Sequence, residues 1–109
     1  MPDAGPVFSA LSDHTRRSIV EQLGAQPATA SDLAGFVPVT RQAVVKHLAV
    51  LEDAGLVRGT RDGRRVVYEL TPEPFADAAR WMSEVGAAWD TRLAALSETI
   101  ERGAHSPRA

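Results

Sequence analysis

Gln42 and Lys46 stand about one helical turn apart in the stretch Thr40-Arg-Gln-Ala-Val-Val-Lys-His-Leu-Ala-Val-Leu-Glu-Asp-Ala-Gly-Leu56. A glutamine amide presents a donor and an acceptor side by side, the pattern that matches a base edge. A lysine ammonium, or the guanidinium of Arg41, neutralises phosphate. At about 100° per residue, Gln42, Lys46 and Ala49 fall opposite the apolar row Val44, Leu48 and Leu51. The polar face is short, lacks acids, and carries its amide and cation near its N-terminal half. Thr40 suits the N-cap of this helix and Gly55 a left-handed C-cap. An ordinary solvated helix face has the same pattern, so the surroundings must decide.

The second cluster is richer in charge. Arg58, Arg61, Arg64 and Arg65 crowd around Asp62-Gly63, a strong hairpin-turn dipeptide. Leu56 to Leu70 reads as a β-hairpin, with Val66, Tyr68 and Leu70 alternating against Val67 and Glu69. Guanidinium groups at a hairpin tip can clamp phosphates or enter a minor groove. The alternative is a charged edge that resists aggregation. Such a cluster in a chain of net charge -2 favours the first reading.

Other elements must hold these residues in place. Pro6 to Leu11 predicts a short helix with Pro6 in its first turn. Asp13 is a plausible cap for a second helix, His14 to about Leu23, with Ile19, Val20 and Leu23 inward. Gly24 through Pro27 should break it. Thr29-Ala-Ser-Asp32 has the form of a capping box, opening a helix with Leu33, Ala34 and Phe36 that Gly35 and Pro38 end. Two helices joined so tightly, the second longer, match a helix-turn-helix, and the hairpin behind them has the form of a wing.

The 109 residues suit one domain. Residues 1–5 read as a disordered N-terminus, 6–102 as one domain and 103–109 as a flexible tail. The net charge excludes a polycation that binds nucleic acid by bulk charge, so any basic surface must be local. The absence of cysteine excludes disulfides and thiolate metal sites within the chain. No run is long and apolar enough to cross a membrane, and the N-terminus lacks signal-peptide features, so a cytoplasmic location is expected.

After Thr71-Pro-Glu-Pro74, the residues Ala78, Met82, Val85, Trp89, Leu93, Leu96 and Ile100 repeat at spacings of three and four, close to a heptad stripe. A helix from about Pro74 to Glu101 would be roughly 40 Å long. The radius of gyration of a domain this size is only about 13 Å. Its apolar stripe needs cover, and a second copy of the chain in a two-fold dimer supplies it most simply.

Taken together, Leu11-Ser-Asp-His-Thr-Arg-Arg-Ser-Ile19, Ala43-Val-Val-Lys-His-Leu48, Leu51-Glu-Asp-Ala-Gly-Leu-Val57 and Gly63-Arg-Arg-Val-Val-Tyr68 resemble the ArsR family of bacterial winged-helix repressors. The resemblance covers about residues 7–101. It implies a mainly α fold with a small β-hairpin, a winged helix-turn-helix whose long C-terminal helix serves dimerisation. It also implies a homodimer, paired through its first and last helices, that binds an inverted-repeat DNA operator and represses transcription. The DNA-contacting residues would be Thr40, Arg41, Gln42, Val45, Lys46, His47, Arg58, Arg61, Arg64 and Arg65, with Arg16 and Arg17 as further phosphate candidates unless one pairs with an acid. The dimer interface would include Phe8, Leu11, Met82, Val85, Trp89, Leu93, Leu96 and Ile100.

The chain departs from the family in several places. Many members sense metals through cysteines in the third helix or Asp and His ligands in the last. Here the third-helix region Ala30 to Phe36 has no thiol. The last helix has Asp77, Glu84, Asp90, Glu98 and Glu101 but no His, and His105 stands alone behind it. No metal and no cofactor are expected. His14 stands where the family commonly has Pro. Val45 stands where it often has Ser, so a methyl contact with thymine would replace a hydroxyl contact. A small-molecule effector near Trp81, Met82 and Trp89 is one route to release; a non-inducible repressor is the other. The alternative function is a winged-helix module that uses the same surface for a protein partner. An enzyme is not expected, because no nucleophile motif or phosphate loop is present.

Overall fold

A computed structural model describes residues 4–104, with side chains as far as residue 100. Most of the expected N-terminal stretch 1–5, the residues of the expected tail beyond 104, and His105 lie outside the described residues. The chain divides into two compact units, Met1–Ala78 and Ala79–Ala109.

The first unit opens with helix α1, Gly5–Ala10, which has Pro6 in its first turn and buries Val7 and Ala10. Helix α2, His14–Ala25, starts where the Asp13 carboxylate accepts from the Arg16 amide at 3.0 Å. It buries Ile19 and Leu23. It ends within the Gly24–Pro27 stretch expected to break it, although Gly24 itself is helical. The helix runs on to Ala25 and stops before Pro27, which cannot donate into a helical ladder. Strand β1, Ala28–Thr29, follows directly and was not expected from the sequence.

Helix α3, Ala30–Ala34, begins with the reciprocal capping box foreseen at Thr29 and Asp32. The Thr29 hydroxyl accepts from the Asp32 amide at 3.1 Å, and the Asp32 carboxylate accepts from the Thr29 amide at 3.0 Å. Leu33 is fully buried, but Phe36, expected within this helix, lies beyond its end and is 62% exposed.

Helix α4, Arg41–Asp53, closes as Gly55 predicted. Gly55 has φ +77°, its amide donates to the Glu52 carbonyl, and the Leu56 amide donates to the Leu51 carbonyl, each at 2.9 Å. This is a Schellman closure, and it turns the chain straight into the hairpin.

Strands β2, Val57–Asp62, and β3, Arg65–Leu70, pair antiparallel, with Val57 opposite Leu70 and Asp62 opposite Arg65. The two-residue turn is therefore Gly63-Arg64, one place later than an Asp-Gly centre would give. Gly63 takes φ +63°, and no described residue other than glycine has positive φ. Glycine first in the central pair is the pattern of type II′ hairpin turns. Strand β1 adds to the free side of β3, with Ala28 opposite Tyr68, so the sheet order is β1-β3-β2.

Ile19, Leu33, Val44, Leu48, Leu51 and Leu56 form the fully buried centre of this unit. Helix α5, Pro72–Ala104, starts in the first unit, where Ala78 is buried, and makes up most of the second. It is longer at both ends than the sequence suggested.

Candidate nucleic-acid interface

The exposed face of α4 follows from its buried one. Val44, Leu48 and Leu51 show no exposed surface, so the helix cannot rotate without unpacking the core. That fixes Arg41, Gln42, Val45, Lys46 and Ala49 outward. The Thr40 hydroxyl accepts from the Ala43 amide at 3.1 Å, the N-cap foreseen from the sequence. No acid occupies the first turn. The positive end of the helix dipole is thus uncompensated and faces solvent beside Arg41. The Arg41 Nε donates to the Ser31 hydroxyl at 3.0 Å, which joins α4 to α3.

The wing separates its arginines into two kinds. Arg61, Arg64 and Arg65 are exposed at or near the tip. Arg65 lies 3.9 Å from the Asp62 carboxylate, a solvated pair that constrains it weakly. Arg58 sits lower, opposite Glu69, and its guanidinium donates to that carboxylate at 2.6 Å. The hydrogen bond and charge of Glu69 raise the Arg58 pKa above its ordinary value. The Glu52 carboxylate, at the end of α4, accepts from the Gly59 amide of the wing at 3.2 Å. The Gly59 site is narrow, since an added Cβ would lie 3.0 Å from both Tyr68 and Val66 side chains.

Helix and wing enclose a groove of about 560 Å³. Arg41 and Val45 line one wall, and Arg64, Arg65, Val66 and Tyr68 line the other. Ser31 and Asp32 stand at its end, within α3. The Asp32 carboxyl is held below its ordinary pKa, first by the Thr29 amide and hydroxyl and then by the charge of Arg65. The structure thus brings Arg41, Val45, Arg64 and Arg65 to one concave surface, while Gln42 and Lys46 continue the exposed face of α4.

His47, Arg16 and Arg17 are placed differently. The Arg16 Nε donates to the Ala10 carbonyl at 2.6 Å, Nη2 reaches the Ser9 carbonyl at 3.5 Å, and Nη1 lies 3.5 Å from Nδ1 of the half-buried His47. Arg17 Nη1 donates to the Leu11 carbonyl at 2.7 Å. Both guanidinium groups hold the end of α1 against α2 through backbone carbonyls, where the sequence had suggested phosphate or an acid. The Asp13 carboxyl is lowered in pKa, chiefly by the Arg16 amide and less by the charges of Arg16 and His47. Sequence reasoning missed Ser31 and Glu52, because each acts on a residue of another element and leaves no local pattern.

In α5, Met82, Val85, Trp89, Leu93, Leu96 and Ile100 are all exposed in the single chain, from 37% at Val85 to 61% at Ile100. The Arg92 guanidinium lies 5.5 Å from the centre of the Trp89 ring, within cation–π reach. In the first unit Phe8 is 37% exposed, and Leu11 is half-buried against the core. Among the described residues no group of three or more His, Cys, Asp or Glu is placed to hold a metal ion. No described helix is long and apolar enough to cross a membrane.

A helix-turn-helix domain family matches residues 11–60, which span α2 through most of β2. The transcriptional repressor SdpR of Bacillus subtilis is 33% identical over 76 residues, covering 70% of this chain and 84% of that protein. An ArsR-like transcriptional regulator from Rhodococcus sp. RHA1 superposes with TM-score 0.77 at 42% identity, covering 88% of this chain and 91% of that one. The homodimeric winged helix-turn-helix DNA-binding domain Mb0332 from Mycobacterium bovis superposes with TM-score 0.61 at 26% identity, covering 81% of this chain and 79% of that one. With the capped α4, the hairpin behind it and the long last helix in place, the chain belongs to the ArsR family of winged helix-turn-helix transcriptional regulators.

Proposed function

We propose that this regulator is a homodimeric, cytoplasmic repressor that binds an inverted-repeat operator and has no enzymatic activity. The observation that carries the reading is the shared groove: the exposed start of α4 and the arginine tip of the wing face the same concavity. Thr40, Arg41, Gln42, Val45 and Lys46 enter the major groove, and Arg61, Arg64 and Arg65 hold the backbone or the minor groove beside it. Arg58 adds charge from its ion pair, and His47 acts through Arg16 more than on DNA. The similarity to a named repressor supports the direction of regulation, and the similarity to a homodimeric DNA-binding domain supports the assembly. Dimerisation uses Phe8, Leu11 and the stripe Met82, Val85, Trp89, Leu93, Leu96 and Ile100. Two recognition helices related by a two-fold then meet half-sites about 34 Å apart. With no thiol in the chain, binding proceeds without a metal.

The test is titration of the purified protein against its own upstream DNA at several salt concentrations, with zinc and with a chelator. Tight binding that falls steeply with salt and ignores zinc is expected. Gln42→Ala is expected to change preference between operator variants by about 1–3 kcal/mol, the worth of a bidentate base contact. Absence of saturable DNA binding at low salt would overturn the reading in favour of a protein partner.

A further inference from the structure

Arg41 occupies the first helical position of α4, where a cation opposes the helix dipole. Helix stability is therefore not what this arginine serves. It lines the groove shared with Arg64 and Arg65, and its Nε is tied to the Ser31 hydroxyl at 3.0 Å. A guanidinium has five N–H donors, and Nε carries one of them. With that donor on Ser31, the terminal nitrogens remain as a fork, the geometry that fits two phosphate oxygens. The neighbouring acid does not compete for it: the Asp32 carboxylate accepts from the Thr29 amide at 3.0 Å in the capping box. Asp62, the other acid at the wing tip, lies 3.9 Å from Arg65.

Resting on the DNA-binding reading above, we infer that Ser31 is a positioning residue for recognition: it holds Arg41 so that its fork meets a backbone phosphate seated between α4 and the wing. Ser31 need not touch the DNA itself. Its hydroxyl restricts a long, exposed side chain before binding, so less freedom is lost when the phosphate arrives. Ordering one such side chain corresponds to about a 2–12-fold change in affinity.

The experiment is a double-mutant cycle on operator binding with Ser31→Ala, Arg41→Ala and the pair, together with Ser31→Thr and thermal melts of each. Ser31→Ala is expected to weaken binding about 3–10-fold on operator and unrelated DNA alike, with an unchanged or higher melting temperature. Ser31→Thr restores affinity, because its hydroxyl can accept the same bond. In the Arg41→Ala background, Ser31→Ala has no further effect. Wild-type affinity in Ser31→Ala, or the same loss with and without Arg41, overturns this inference while leaving the DNA reading intact. Failure of the wild-type protein itself to bind DNA overturns both.

Discussion

Arg58 and Arg64 carry the same side chain on the same hairpin and meet different surroundings. Arg64 is exposed in the turn beside α4, while Arg58 already holds Glu69 at 2.6 Å. A phosphate contact made by Arg58 must displace or share that carboxylate. Arg64→Ala is therefore expected to lower the salt slope of DNA binding by about 1, uniformly across sequences, and Arg58→Ala to lower it less. Binding isotherms over a range of salt measure both; equal slopes for the two variants would contradict the distinction. Residue types and exposure at this site were legible in the sequence, because periodicity tells which face of α4 is apolar. The partners were not. Glu69 meets Arg58 through strand register, and Ser31 meets Arg41 through the packing of α3 on α4. Asp32 carries a consequence for acid stability. Its pKa is lower folded than unfolded, so its contribution is complete above the unfolded value, about 3.9, and is lost as pH falls through the folded value. Asp32→Asn keeps an acceptor in the capping box but does not titrate. Denaturant midpoints measured from about pH 5 to pH 3 should fall less steeply in this variant than in the wild type.

At the scale of elements, the signals that held were those with a local mechanism. Thr40, Asp13 and the Thr29–Asp32 box capped the helices they were expected to cap, because capping needs only a side chain and the amides next to it. Gly55 closed α4 for the same reason. Gly55→Ala would place a Cβ on a backbone at φ +77°, with a cost of about 1–2 kcal/mol even though nothing crowds the site. An unchanged denaturant midpoint would show that the chain can leave α4 by another route. Other features were placed less closely or not foreseen. Gly24 stayed helical, with only the Leu70 side chain near its missing Cβ at 3.8 Å, so neighbouring packing outweighed its weak propensity. Strand β1 has two residues, too few to show a period of two, and exists because β3 offers it a free edge. The hairpin was foreseen, yet its turn centre moved by one residue. Gly63 satisfies either turn, and cross-strand pairing chose between them.

For the whole molecule, we propose that the heptad-like stripe of α5 carries the assembly. Its residues are exposed in the single chain, and apolar surface at that spacing favours a second helix over water. Sedimentation at micromolar concentration is expected to give about twice the 11.7 kDa chain mass. Leu93→Glu should shift this towards the monomer and weaken operator binding, because each half-site must then bind alone. A dimer unchanged by Leu93→Glu would move the interface elsewhere. The unit that reads DNA, by contrast, is closed by a long-range pairing. Ala28 and Thr29 meet Tyr68 and Val67, and all of α3, α4 and β2 lies in the chain between them. Bringing those ends together costs loop-closure entropy that hairpin and helix formation do not incur. Strand β1 is therefore expected to dock late in folding, after α4 and the hairpin have formed locally. Until it does, one side of β3 is an open strand edge, and a nascent chain at high concentration is most exposed to strand-to-strand association there.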